Sequence, residues 1–468
     1  VTIWSCKQEK NQTKPNIAET LETYTIKQMM DNESVFGGSF SPDKSKLLVT
    51  SNRSGIYNMY TVASSGGDFV PVTASDSSSV FSISYFPEDE RMLFEMDNNG
   101  DEIYHIYLMD GEGTHTDLTP YEGARSIFYV WADDNKSFFF TSNKRDKRYM
   151  DLYEMDLESF SPTLLYQNDE GYDIGGISHD KKYLPLSKAI NTNDSDMFLY
   201  SLEDKSATKI NPNQSANSYE DFSKDGSSLY YTTDDGAEFA YLMKYNIADG
   251  SREKVMERNW DIVGSYFTEN DTYQVTYINE DAKNVIEVKD VASGENIELP
   301  KFDNTSITNV GFSKDEKTMR FYAGGSNTPS NLFVYDLETK EQNQLTNVLN
   351  PEIKGEHLVT AEVIRFNSFD GVEIPAIYYK PHQANAENKV PALVWVHGGP
   401  GGQSRQNFNS LVQYMVNHGY AILAVNNRGS SGYGKTFYQM DDLNHGDKDL
   451  KDCVEGKNWL SQQTEIDA

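Results

Sequence analysis

Short apolar runs separated by polar turns fill the first three-quarters of this chain. Leu47-Leu48-Val49, Phe138-Phe139-Phe140 and Leu229-Tyr230-Tyr231 have the length and residue types of strands. Aromatic-rich runs follow them after polar loops, as in Ile56-Tyr57-Asn58-Met59-Tyr60, Ile103-Tyr104-His105-Ile106-Tyr107 and Asn331-Leu332-Phe333-Val334-Tyr335. Ahead of each unit an apolar residue enters a turn closed by Asp, Glu or Asn, whose side chain can bond nearby backbone N–H groups. That entry recurs seven times, at Phe40-Ser41-Pro42-Asp43, Phe86-Pro87-Glu88-Asp89, Trp131-Ala132-Asp133-Asp134, Ile177-Ser178-His179-Asp180, Phe222-Ser223-Lys224-Asp225, Phe267-Thr268-Glu269-Asn270 and Phe312-Ser313-Lys314-Asp315. Successive starts differ by 46, 45, 46, 45, 45 and 45 residues. A short segment such as Leu118-Thr119 or Leu345-Thr346 ends each unit.

Three visible strands with room for a fourth in each unit describe one propeller blade. A single four-stranded sheet cannot bury both its faces, so such units stack and share cores. Seven copies fit a closed seven-bladed β-propeller over 36–352, with a linear solenoid as the alternative arrangement. The stretch Ile17 to Met30 lies outside the repeat and reads as a short helix within an N-terminal strap, 17–35. Residues 1–16 read as a leader or tether.

After about Pro351 the repeat stops. Leu358–Phe366 and Val372–Tyr379 read as paired strands, with Asp370-Gly371 as the turn. Pro391-Ala392-Leu393-Val394-Trp395-Val396 has the continuous apolar run of a strand buried on both faces. A helical stretch, Ser404 to Asn417, comes next, then the buried strand Tyr420–Val425 and a helix from about Asp447 to Gln462. Residues 353–468 therefore read as a parallel α/β layer. The fold class is β followed by α/β.

Composition narrows the function. The chain has 72 acidic and 41 basic side chains, a formal net charge of −31. This excludes a phosphate-neutralising nucleic-acid binder and disfavours attachment to anionic lipid by charge. Residues 353–468 hold 10 basic and 13 acidic side chains, net −3, leaving 31 basic and 59 acidic, net −28, on 1–352. The acidity belongs to the propeller and its leader, and would attract cationic molecules to the blades. Aromatics at 12% with 32 Gly suit strands and turns rather than disorder. No apolar run reaches the length of a membrane span.

The cysteines, Cys6 and Cys453, form neither a disulfide framework nor a metal cluster. No metal or cofactor pattern stands out. Val1-Thr2-Ile3-Trp4-Ser5-Cys6-Lys7 reads in two ways: as the end of a bacterial lipoprotein signal with Cys6 lipidated, or as an ordinary terminus. The first implies the periplasm or cell envelope, the second allows a cytoplasmic protein.

Two glycine motifs compete for the chemistry. His397-Gly398-Gly399-Pro400 at a strand end has the form of the loop that gives a backbone N–H to an oxyanion in α/β-hydrolases. Gly429-Ser430-Ser431-Gly432-Tyr433-Gly434-Lys435-Thr436 matches the phosphate-loop pattern letter for letter. No later strand ending in Asp completes a Mg²⁺ site, however, and Phe437–Asp442 is a poor continuation for its helix, so the match reads as coincidence.

Seven blades, His397-Gly398-Gly399-Pro400 and Asn427-Arg428-Gly429-Ser430-Ser431-Gly432-Tyr433-Gly434 together resemble the prolyl oligopeptidase family of serine peptidases, nearest its acylaminoacyl-peptidase and dipeptidyl-peptidase 5 branch. The resemblance implies that 353–468 are the N-terminal part of an α/β-hydrolase domain capped by the propeller, with short peptides as substrates and no cofactor; the acidity of 1–352 would then favour cationic peptides entering past the blades. It places Gly398 or Gly399 N–H as half of the oxyanion hole, with His397, Pro400, Arg428, Gly429 and Tyr433 supporting the site. It also explains the false phosphate loop, since the family carries Arg-Gly-Ser-x-Gly-Tyr-Gly there. The chain contains no G-x-S-x-G elbow. The family places this elbow on the strand after the helix ending near Gln462, so nucleophile, acid and histidine are all expected beyond Ala468 and this chain alone is expected to be inactive. No Glu-Glu pair in an Asp-Trp segment can be placed, which speaks against that way of gripping a free N-terminus. His418 and His445 read as surface residues, and Asp447, Asp449 and Asp452 as a solvated helix face. A non-catalytic propeller scaffold and an esterase remain the alternative functions.

Overall fold

The computed structural model describes residues 17–399 and 401–468. Cys6 and Pro400 lie outside the described residues. Seven antiparallel sheets follow one another along the chain, each built from consecutive strands. The first comprises Val35–Phe40, Lys46–Ser51, Asn58–Ala63 and Val70–Pro71, and the seventh Ser306–Phe312, Thr318–Gly325, Thr328–Asp336 and Gln342–Gln344. Six sheets have four strands. The sixth has three, with a lone bridge between Lys289 and Asn296 where a fourth strand would pair.

Every pair of neighbouring sheets shares an apolar core, as the sharing argument requires. The ring closes through Leu47, Val49 and Val62 of the first blade against Tyr322, Leu332 and Val334 of the seventh. No strand is exchanged at this junction. Arg320 Nε instead donates to the Gly38 carbonyl at 2.9 Å, and Lys44 pairs with Asp315. The seven-bladed propeller is closed, and the linear alternative is excluded.

The repeated turn has a simple cause. Asp43 Oδ1 accepts from Ser45 N and from the Ser41 and Ser45 hydroxyls, which holds its carboxyl down at about 2. The next residue, Lys44, then adopts φ 53°, and Asn135, Lys181, Gly226, Asp271 and Glu316 sit equivalently at φ 53–68°. Side chains of the innermost strands also reach the next blade: Ser39 Oγ accepts from Tyr85 N, and Glu220 and Asp221 accept from Ser265 N and Phe267 N.

The expected single helix from Ile17 to Met30 is two, α1 (Ile17–Thr20) and α2 (Ile26–Met30). Thr25 and Gln28 form a capping box that starts a new helix. Just before it, Tyr24 N donates to Asn417 Oδ1 at 2.9 Å and Tyr24 Oη lies 2.8 Å from His357 Nδ1.

The α/β layer has strands β1 (Glu362–Asn367), β2 (Glu373–Tyr379), β3 (Ala392–Val396) and β4 (Ala421–Val425), in spatial order β1-β2-β4-β3. β3 and β4 are parallel, and the other pairs are antiparallel. Helix α3 (Ser410–Asn417) covers one face and α5 (Lys448–Leu460) the other, with a short α4 (Lys435–Tyr438) between them in sequence. Three expectations are corrected. Helix α3 starts at Ser410 rather than Ser404, because Asn409 caps it through Leu411 N and Val412 N while Ser404 is held by Asn426. β3 is not buried on both faces: Leu393 and Val396 are 38% and 56% exposed, as befits a sheet edge. Asp449 and Asp452 do not form a solvated face: both are buried, and only Asp447 of the three is exposed.

Candidate active site

The glycine loop leaves the end of β3 at the sheet edge. Gly398 and Gly399 are exposed, and a Cβ at Gly398 would meet open space. Among the described residues no acceptor is bonded to either N–H. Gly399 has no room for a side chain, since a Cβ would lie 2.8 Å from Gly401 N and 2.9 Å from Gly402 N. Gly401 and Gly402 are equally obligatory, pressed against the Tyr438 hydroxyl and the Gly398 carbonyl. The result is a tightly folded turn that presents unbonded backbone donors to solvent, the property an oxyanion site needs.

His397 anchors this turn from below. Its Nε2 lies 2.8 Å from Ser430 Oγ and its Nδ1 3.0 Å from the Gly398 carbonyl. Ser430 is wholly buried and its hydroxyl donates to the Asn427 carbonyl at 2.6 Å. That hydroxyl is buried and already committed to a carbonyl, and both His397 ring nitrogens are held by groups of the two glycine loops.

Arg428 fixes the second loop. Buried to 2% exposure, it donates Nε and Nη2 to Asp452 at 2.9 and 2.8 Å and Nη1 and Nη2 to Asp370 at 2.8 Å each. The guanidinium holds the Asp370 carboxyl down at about 2. Gly429, at φ 91°, lies so close to the Asp441 carboxyl that no Cβ would fit. Asn426 donates to Tyr433 Oη at 2.9 Å, and the Tyr433 ring meets Trp260 of the propeller edge-on. Burial pushes the Tyr433 phenol up. The expected support residues Arg428, Gly429 and Tyr433 thus converge with His397 on one pair of loops.

The phosphate-loop match is a docking surface instead. Lys435 Nζ pairs with Asp234 at 3.0 Å, Thr436 N and Oγ1 donate to the Glu238 carboxylate at 2.7 and 2.8 Å, and Lys435 N donates to the Glu238 carbonyl. Asn279, Asp281 and Asn284 meet Gln403, Arg365 and Arg405 along the same seam. Asp234, Glu238 and Asp281 lie on loops between second and third strands, and Asn279 and Asn284 at the ends of the strands that flank such a loop, so the α/β layer sits on that end of the ring.

The repeat's entry turns lie at the other end. There Phe40, Phe86, Trp131, Phe267 and Phe312 line a cavity of about 550 Å³, which is remote from the glycine loops. Lys314 pairs with Glu88 and Lys224 with Asp133, ion pairs between non-adjacent blades that cross this mouth. A second cavity, about 410 Å³, opens at the seam beside Gly401 and Gly429.

Sequence reasoning missed the acids Asp370 and Asp452, the propeller clamps Asp234 and Glu238, and the cluster Asp441, His445 and Asp449. A buried Arg between two tight loops demands carboxylates, and that demand was the available signal for the first pair.

With this geometry the comparisons agree. The family description "Prolyl oligopeptidase, N-terminal beta-propeller domain" matches residues 72–348, and "Prolyl oligopeptidase family" matches 406–468. The chain belongs to the prolyl oligopeptidase family, a family of serine peptidases. It is 25% identical over 451 residues to dipeptidyl aminopeptidase BIII of Pseudoxanthomonas mexicana, covering 90% of this chain and 63% of that one. It is 22% identical over 391 residues to the prolyl endopeptidase of Elizabethkingia meningoseptica, covering 77% and 53%. A solved puromycin-hydrolyzing peptidase of Mycobacterium tuberculosis superposes with a TM-score of 0.76 at 14% identity, over 97% of this chain and 74% of that one. The chain thus spans less than two thirds of the length of these two sequence relatives.

Proposed function

We propose that this chain is the N-terminal part of a serine peptidase that hydrolyses short peptides by Ser-His-Asp acyl transfer, with the triad on sequence following Ala468. The observation that carries this reading is the unbonded pair of N–H groups at Gly398 and Gly399, at the end of an edge strand. The last residues support it: Ile466 already bridges Val390 in parallel register, on the side of β3 away from β4. A strand continuing that register would run alongside β3 towards the glycine loop. A nucleophile at its end would stand beside the oxyanion donors.

The propeller's part is to restrict access. Ion pairs cross its far mouth, so peptides reach the glycine loop through the seam, which has to open. In this reading the 468 residues alone bind no acyl intermediate and turn nothing over. A lipidated Cys6, and with it a cell-envelope location, belongs to the same reading; incorporation of labelled fatty acid that Cys6→Ala leaves unchanged would overturn that part. For the catalytic part, the reading frame after Ala468 is extended and the product assayed on acyl-peptide, dipeptidyl and simple ester substrates. Peptide turnover supports the peptidase, and turnover of simple esters alone overturns it.

A further inference from the structure

We propose that Asp441, His445 and Asp449 form a binding site for a divalent transition-metal ion of the zinc class. Their ligand atoms all lie within 4.8 Å of one another. His445 Nδ1 is 3.0 Å from Asp449 Oδ2 and 3.5 Å from Asp441 Oδ2. Ligands at about 2.0–2.2 Å from a tetrahedral zinc stand about 3.3–3.6 Å apart, so a small rotation of each side chain closes the three on one ion. One imidazole nitrogen and two carboxylates suit zinc, cobalt or manganese better than calcium, which takes six or more oxygens.

The burial of the two acids is a second observation that favours a cation. Both carboxylates are only 8% exposed, while the imidazole is 66% exposed. Asp449 is oriented by Gly446 N, which donates to both its oxygens at 2.8 and 3.0 Å. Asp441 meets only its own backbone N–H, and its one side-chain donor is His445 Nδ1, at 3.5 Å and shared with Asp449. Two carboxylates facing a single imidazole leave a net negative charge on the cluster, which a cation joining them would offset. The second cavity, about 410 Å³ and lined by Asp441, Leu443 and His445, supplies the open side from which an ion and a water ligand enter.

The site lies where an ion would matter. Asp441 packs on Gly429, and Tyr438, three residues earlier, packs on Gly401. An ion joining Asp441 to Asp449 at the start of α5 would tie the turn 441–449 to helix α5 and brace both glycine loops from beneath. Its role is structural, with an exposed imidazole that lets the ion exchange.

The test is titration of the metal-free 468-residue chain with Zn²⁺ by calorimetry and with Co²⁺ by visible absorption. The expected result is one equivalent bound, a cobalt spectrum of tetrahedral intensity, and a Tm that rises with zinc. Asp441→Asn and His445→Gln should each weaken binding by more than about tenfold. His445 is exposed, so its variant keeps the fold, which far-UV circular dichroism checks. Cys6→Ser should bind as the parent does. Absence of saturable binding, unchanged affinity in His445→Gln, or loss of binding in Cys6→Ser would each overturn the proposal.

Discussion

Asp452 takes Nε and Nη2 of Arg428 on its two oxygens, and both side chains are almost wholly buried. Asp452 comes from α5 and Arg428 from the loop after β4, so this fork ties the second glycine loop to the helix across the sheet. Asp452→Ala leaves the guanidinium with only the half-buried Asp370. Removing one partner of a buried pair costs about 3–5 kcal/mol, and urea unfolding of the α/β layer should show a loss of that order. Asp370 has its own pH signature. Its carboxyl is depressed to about 2, so its contribution is complete above the ordinary value of 3.8 and disappears as pH falls through about 2.

Glu220 and Asp221 give the propeller the opposite pH dependence. Burial raises them to about 7 and about 6, although each accepts hydrogen bonds from the neighbouring blade. Below about 4 both folded and unfolded chains hold these protons and nothing is gained or lost. As pH rises from there towards 7 the unfolded chain ionises first, so stability falls. Glu220→Gln keeps an acceptor for Ser265 N and removes the charge. It should raise Tm by about 1–3 °C at pH 8 and leave it unchanged at pH 4, measured by calorimetry.

Lys435 and Thr436 hold the seam through Asp234 and Glu238. Lys435→Ala combined with Glu238→Ala should leave each domain folded and make their separation easier. Limited proteolysis between 349 and 361 should accelerate about tenfold if the clamp contributes ~1.4 kcal/mol. An unchanged cleavage rate would show that Arg365 with Asp281 and Arg405 with Asn284 carry the seam.

The net −28 of residues 1–352 predicts electrostatic attraction of cationic peptides. In the extended protein, kcat/KM for Lys- or Arg-rich peptides should fall with added salt while that for neutral peptides stays level. Salt-independent turnover of the cationic substrates would contradict steering.

The repeat was readable because each blade needs the same turn. Asp43, Asp89, Asp134, Asp180, Asp225 and Asp315 each accept from a backbone N–H two residues on, so the sequence must restate them blade by blade, and only Asn270 reaches the next blade instead. The glycine loops were readable for a similar reason, since Gly399, Gly401 and Gly429 have no space for a side chain. What could not be read depends on distant partners. Nothing local marks Asp452 as buried, because its Arg lies 24 residues earlier. Lys435 and Thr436 look like phosphate ligands until Asp234 and Glu238 arrive from the fifth blade. The run Pro391–Val396 looks doubly buried by residue type, yet β3 pairs with β4 on one side only and its start meets Glu465–Asp467 on the other.

The most direct test of this account compares two proteins with one serine-directed fluorophosphonate probe. The 468-residue chain should take up no label and hydrolyse no acyl-peptide. The chain extended along its own reading frame should be labelled at one serine, within a Gly-x-Ser-x-Gly elbow, and should hydrolyse the peptide. Replacing Gly399 with a bulkier residue in the extended protein should abolish turnover without unfolding the propeller. Labelling or turnover by the 468 residues alone, or an extended chain with neither, would contradict the account.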